Sequence, residues 1–383
     1  MEITELKVLG KLPDPFLRPD GSRVSTAKEW EEQRKELYKS AVELQYGTMP
    51  PDPEFLEVEM LYDSSGSHNM DTYRIITGTH KKPVSFTIKV IRPTTNVSNS
   101  LPEKLPVVIC GDGCFNYIYD TDWVSSFINE NIILVIFNRV ELAHDVRNEG
   151  RRKGQLYNTY PDYTFGALGA WAWAYSRVID ALSQFDFIDM DNITVTGHSR
   201  GGKAAILAGA VDSRIAITNP NETCAGGCGC YRIHMEGLTK DGQKKRSETL
   251  KDIWGNFGYW FGPDLGDYAE REEELPFDSH YLKALVAPRI LFVSEAVDDI
   301  WANPVGSLMT TRAAAEVYKF LGSPENLYWY FRPGYHYHKT DDLKILINLI
   351  KHKTEGRALD EKFFKSPFPE PAPIYDWTAP EKV

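Results

Sequence analysis

The stretch Thr194-Val195-Thr196-Gly197-His198-Ser199-Arg200-Gly201-Gly202-Lys203 decides the fold. Ile193–Thr196 is a short apolar, β-branched run of the kind that forms a strand buried on both faces. Lys203–Ala210 is small and apolar, which suits a helix packed close against a sheet. Between them Gly197-His198-Ser199-Arg200-Gly201 reads G-x-S-x-G. A serine on so tight a strand-to-helix turn needs glycine neighbours, because side chains there would clash. The turn lifts the hydroxyl above the sheet, beside a helix N-terminus whose N–H groups can hold an oxyanion. A chance glycine-rich turn also satisfies the bare pattern. The flanking strand and helix make Ser199 the candidate nucleophile.

Working outward, strands alternate with helices. Val84–Ile91 alternates apolar and polar as a half-buried strand does. Val107–Cys110, Ile132–Phe137, Ile215–Thr218, Ile290–Val293 and Asn326–Phe331 read as further strands. Gly166–Leu182, Ser307–Leu321 and Asp341–Lys351 read as helices. This order predicts an α/β fold with a mostly parallel central sheet, covered by helices on both faces. Residues 1–60 read as an arm packed on a catalytic domain at 61–355. Within the arm, Thr26–Gln45 is predicted helical, with Thr26 and Glu29 placed for a capping box. The glycine-rich, then charged stretch at about 224–275 breaks the alternation and reads as an insertion near the site. Residues 356–383 read as a wrapped extension.

The bulk composition agrees. The chain has 383 residues, 42% hydrophobic and 25% charged, values typical of globular proteins and unlike disordered or collagenous ones. Its 43 basic and 54 acidic residues give a net charge of −11, which argues against nucleic acid and anionic membrane as partners. No apolar run approaches the ~20 residues of a spanning helix. The opening MEITELKVLG has no leader-like pattern, so the expectation is a cytoplasmic protein, or a secreted one already freed of its signal peptide. Five cysteines fit free thiols better than a disulfide framework.

A serine nucleophile needs a base and a group that orients it. In an α/β-hydrolase the order along the chain is serine, acid, histidine. His336 and His338 lie in Arg332-Pro333-Gly334-Tyr335-His336-Tyr337-His338, after the last strand and before the last helix, where the base loop belongs. His336, nearer the strand end, is the preferred base and His338 the alternative. His352 falls in a charged helix end and reads as solvated. The acid stays open at this level. Glu222 follows the strand after the nucleophile helix, whereas Glu295, Asp298 and Asp299 follow the next one. Any of them can equally be a loop carboxylate capping backbone.

Several separate stretches resemble the glucuronoyl esterases, carbohydrate esterase family fifteen, and their bacterial acetyl-xylan-esterase-like relatives. Ser199-Arg200-Gly201-Gly202-Lys203 is similar to the family's S-R-x-G-K. Asp212–Thr218 followed by Pro220-Asn221-Glu222 resembles its D-x-R-I-A-L-T and P-x-E. Gly226-Gly227 with Tyr231-Arg232, Leu275–His280, Ala284–Arg289 and Gly166–Trp173 also match. The resemblance spans about 160–340. It implies a serine esterase acting on plant cell-wall saccharide esters without cofactor or metal. It implies Glu222 as the acid, with Asp298 the alternative, and Arg200 as an oxyanion contact. It also implies Lys203 as a ligand of sugar hydroxyls and Trp301 as a stacking platform, although a tryptophan there can also be plain core. Many members carry a cysteine before the serine and another after the histidine, joined as a disulfide. Here His198 and Lys339 stand in those places, and Tyr231 replaces the usual tryptophan.

Two other readings stay in view: a deacetylase of xylan or acetylated sugars, and a non-catalytic sugar-binding relative. Cys224, Cys228 and Cys230, with His234, form a weak metal pattern whose spacing departs from the usual C-x2-C. Gly111-Asp112-Gly113-Cys114 is either a source of oxyanion N–H groups or a plain turn. Trp254, Asn256, Phe257, Tyr259 and Trp260 either wall a carbohydrate cleft or form a buried aromatic cluster. Trp171 and Trp173 read as core. Oligomeric state is not legible.

Overall fold

The computed structural model describes residues 1–64, 70–93, 103–147, 149–369 and 371–381. Its strands are β1 Glu2–Val8, β2 Phe55–Tyr62, β3 Met70–Thr79, β4 Lys82–Ile91, β5 Leu105–Cys110, β6 Ile133–Phe137, β7 Ile188–His198, β8 Ile217–Asn221, β9 Ile233–Leu238, β10 Lys244–Arg246, β11 Ile290–Ala296 and β12 Leu327–Arg332. Among the described residues nine of these form one sheet in the order β12-β11-β8-β7-β5-β6-β4-β3-β2. The six strands from β12 to β6 run parallel, and β4, β3 and β2 extend the sheet antiparallel. This is the α/β-hydrolase architecture.

The pleat explains the three layers. Successive side chains of a strand point to opposite faces. On β5, Val107 and Ile109 enter one core while Val108 and Cys110 enter the other. On β6, Ile133, Val135 and Phe137 alternate with Leu134 and Ile136 in the same way. The larger core is closed by helices Ala167–Leu182, Arg200–Val211, Ser279–Val286 and Pro304–Leu321, the smaller by Thr121–Ile128 and Thr340–Glu355. Trp171 and Trp173 are core residues, as their helix position suggested.

Leu12, Phe16, Trp30 and Tyr46 are buried in the larger core, and Trp377 donates to the Leu12 carbonyl at 3.0 Å. The chain's two ends therefore meet over one face. Thr26 and Glu29 form the capping box, and the helix runs α-helical over Ala27–Tyr38 before widening to a π-helix at Lys39–Leu44. The stretch that interrupts the alternation contributes β9 and β10, which pair with β1 in a separate small sheet. β2 and β3 lie outside the elements read from the sequence. No helix among the described residues is long and apolar enough to cross a membrane.

Strand order positions the site. From β5 the chain goes to β6 on one side and then to β7 on the other. A crevice opens outside the carboxyl ends of the strands at such a reversal, and ligands of open α/β sheets bind there. Asp112, Ser199, Glu222, Asp299 and His336 all follow the carboxyl ends of β5, β7, β8, β11 and β12.

Candidate active site

Ser199 sits at φ 58°, ψ −120°, a strained position for a residue with a side chain. Its neighbours hold it there. The Ser199 N–H donates to the Asn221 carbonyl at 2.8 Å. A Cβ on Gly197 would lie 2.5 Å from the Gly201 carbonyl, and one on Gly201 would overlap the Asp112 carboxylate. Asp112 is fully buried in an ion pair with Arg139 and accepts the His198 N–H at 2.8 Å. The loop Gly111–Cys114 thus supports the elbow through its carboxylate, while its Gly113 N–H is spent on the Phe137 carbonyl. Gly201→Ala is expected to lower stability by about 1–3 kcal/mol, because a methyl group there displaces a buried, paired carboxylate. Thermal unfolding checks this, and an unchanged midpoint would reject the packing argument.

His336 stands beside the elbow, its ring 4.4 Å from that of His198. Two carboxylates meet its Nδ1. Asp299 Oδ2 accepts the ring N–H at 2.5 Å, and Glu222 Oε2 lies 3.2 Å away, outside hydrogen-bond alignment. Nε2 is left on the opposite edge of the ring. Burial opposes a charged ring, but the Asp299 hydrogen bond and the adjacent Glu222 carboxylate outweigh it and raise His336 to about 9. Glu222 is fully buried, and burial raises its carboxyl to about 8 against the pull of His336 and Arg332. Its backbone lies at φ 47°, turned by the N–H bond to the Ser294 carbonyl at 3.0 Å. Arg332 links the parts: it donates to Glu222 Oε1, to both Asp342 oxygens, and to the carbonyls of Tyr335 and Tyr337 that flank His336.

The alternative acid expected from the sequence is corrected here. Asp298 does not reach either histidine. It accepts the Lys240 N–H at 3.2 Å and the Gly334 N–H at 3.4 Å. Asp298 is pinned to the β12 loop by its own N–H, which donates to Gly334 O, and the next residue, Asp299, supplies the carboxylate on His336. Glu295 accepts from Ser307 Oγ instead.

The alternative base, His338, is buried among Trp123, Tyr117 and His198, with ring centroids 5.8–6.1 Å away. Neither of its nitrogens has a hydrogen-bond partner among the described residues. Burial, reinforced by the Arg332 charge, lowers it to about 3, so the ring is neutral.

Arg200 points into the aromatic wall. Its guanidinium pairs with Asp145 at 2.9 Å and lies over Trp260 at 4.7 Å and Phe257 at 5.1 Å, while its buried Nε has no partner. Tyr259 and Trp260 both donate to the same Asp145. Lys203 is buried, its ammonium 5.8 Å from the Trp260 ring. Trp301 is 40% exposed, and its carbonyl accepts the Glu248 N–H. Glu248, unread from the sequence, is a buried carboxylate whose Oε2 has no partner; burial raises its pKa and the Lys203 charge opposes that. Cys228 and Cys230 do not converge with His234. Cys230 donates to Asp278, and His234 faces Glu272 at 3.7 Å.

A family model described as "Glucuronyl esterase, fungi" matches residues 75–322. A 4-O-methyl-glucuronoyl methylesterase of Podospora anserina is 31% identical over 323 residues, 83% of this chain, and the match spans 62% of that relative's length. Among solved structures, a carbohydrate esterase family 15 glucuronoyl esterase from Caldicellulosiruptor kristjansonii superposes with a TM-score of 0.85 at 29% identity, over 97% of this chain and 98% of that one. A serine-to-alanine variant of the Sporotrichum thermophile glucuronoyl esterase, solved with methyl 4-O-methyl-β-D-glucopyranuronate, gives a TM-score of 0.73 at 26% identity, over 93% and 91% of the two chains.

Proposed function

The chain belongs to the glucuronoyl esterase family of serine carboxylic ester hydrolases, and from that premise we propose that it cleaves alkyl or aryl esters of a glucuronic acid carboxyl group borne on a plant cell-wall saccharide. The observation that carries the proposal is the arrangement at His336: carboxylates take Nδ1, so in the neutral ring Nε2 is the nitrogen left to accept a proton, on a loop beside the elbow.

Nε2 takes the Ser199 proton as Oγ attacks the ester carbonyl. Negative charge gathers on the carbonyl oxygen, where N–H groups at the start of helix Arg200–Val211 and the unpartnered Nε of Arg200 meet it. The imidazolium, stabilised by Asp299 and Glu222, protonates the departing alcohol. Water then attacks the acyl-enzyme by the same route in reverse. The buried Lys203 and Glu248 supply a donor and an acceptor for sugar hydroxyls, and Trp301 offers an exposed aromatic face to the apolar side of the pyranose.

The test is a substrate panel of methyl glucuronate, benzyl glucuronate, acetylated xylan and p-nitrophenyl acetate. The uronate esters are expected to give the higher kcat/KM. A preference for acetylated xylan makes the protein a deacetylase, and no turnover of any ester makes it a sugar-binding relative.

Two acids on one nitrogen predict shared orientation. Glu222→Gln and Asp299→Asn are each expected to lower kcat/KM by ~10–10³-fold, less than loss of the serine or base. The double variant is expected to fall below either, and Asp298→Asn to stay within a few-fold of wild type. Asp299→Asn also removes the negative charge behind the hydrogen bond that does most to raise His336. The neutral ring is the active form, so a lowered pKa moves the acid limb of kcat/KM to lower pH. An unmoved limb would show that Asp299 does not act on His336.

A further inference from the structure

Four metal-ligating side chains surround one imidazole. The ligand atoms of His198, Glu222 and His336 lie within 4.8 Å of one another, and so do those of Cys224, Asp299 and His336. His336 belongs to both groups. Cys224 takes no part in the chemistry above. It is buried at φ 56°, and its thiol makes one long contact, 3.8 Å to the Glu222 carbonyl. Glu222 Oε2 is fully buried and faces the same ring nitrogen without an aligned donor. Thiol, imidazole and carboxylate together are the donor set of zinc and its neighbours, whereas magnesium and calcium take oxygen alone. Bonds of ~2.0–2.3 Å place tetrahedral ligand atoms roughly 3.5 Å apart, so side-chain rotations of about 1 Å close these groups on an ion.

We propose that a borderline-soft divalent cation such as Zn²⁺ binds here through Cys224 Sγ, Asp299 and His336 Nδ1, and that its binding switches ester hydrolysis off. A neutral imidazole carries a single N–H. In the working site the carboxylates hold that proton at Nδ1 and leave the Nε2 lone pair to the serine. An ion on Nδ1 replaces the proton there, so the one remaining ring proton sits on Nε2. A protonated Nε2 accepts nothing from Ser199. Cys224 loses its thiol proton to solvent as sulfur binds the ion. No electron moves, and chelation of the ion reverses the step.

The inhibition rests on His336 being the base; the binding does not. Co²⁺ is the probe, added to the full chain while absorbance and hydrolysis of a glucuronate ester are followed together. One equivalent is expected to produce a near-ultraviolet thiolate-to-cobalt band and visible d–d bands. Hydrolysis is expected to fall in step, to a tenth or less, with EDTA restoring it and Zn²⁺ acting likewise. Cys224→Ser is expected to lose the near-ultraviolet band. It should also raise the half-inhibiting concentration by at least the ~10–100-fold that loss of even a supporting partner costs at a metal site. Cys224→Ala serves equally if the serine variant does not fold. Cys230→Ser, whose thiol lies on Asp278, is expected to keep the band and the inhibition. No band at millimolar Co²⁺, or a band that survives both Cys224 variants, overturns the site. Binding without inhibition, in a protein whose metal-free His336→Ala variant is inactive, overturns the switch. An active metal-free His336→Ala variant overturns the base assignment instead.

Discussion

Ser199→Ala is expected to lower kcat by ~10⁴–10⁶-fold while leaving the fold intact. Only Ser199 sits on the elbow, held at φ 58° by the Asn221 carbonyl and by glycines at 197, 201 and 202. Alanine fits the same backbone, because the clashes there concern the neighbouring positions. The residual rate comes from the oxyanion donors and from bound water. Single-turnover and steady-state assays on a glucuronate ester, with thermal unfolding alongside, check this. Turnover near the wild-type rate in a folded Ser199→Ala protein would remove the covalent mechanism entirely.

His336→Ala is expected to cost nearly as much, ~10⁴–10⁶-fold, because nucleophile and base act as one unit. His338→Ala is expected to behave in the opposite way. That ring fills space between Trp123, Tyr117 and His198 and bonds to nothing among the described residues. Its loss leaves a cavity worth about 1–3 kcal/mol of stability, with kcat near wild type below the melting range. The thermal midpoint and kcat of each variant separate the two roles. A dead, stable His338→Ala beside an active His336→Ala would reverse the assignment.

The nucleophile was legible because its signal is local. A serine at positive φ between a buried strand and a close-packed helix forces glycine at fixed offsets, and that constraint is written within ten consecutive residues. The sheet was legible for a related reason. Strands buried on both faces, such as Val107–Cys110 and Ile132–Phe137, must be unbroken apolar runs. The base loop followed from chain order. β2 and β3 escaped notice because they belong to the antiparallel edge, where one side meets water and the pattern is diluted, as in the exposed Met60, Leu61 and Tyr62.

What the tertiary structure alone decided is how the charged groups pair. Asp298 and Asp299 are adjacent and chemically identical, and only the hydrogen bond between Asp298 N–H and Gly334 O leaves the second facing His336. Glu222 and Asp299 reach one nitrogen because β8 and β11 are neighbours in the sheet, though far apart in the chain. Glu248 joins Lys203 from a separate loop, and no spacing along the chain marks it. His336 and His338, two residues apart, end in opposite states: one ion-paired and raised to about 9, the other caged by aromatic rings and lowered to about 3. Backbone geometry and apolar periodicity are properties of neighbouring residues, so sequence carries them. Electrostatic partnership depends on distance through space and on burial, and those exist only once the strands have been brought side by side.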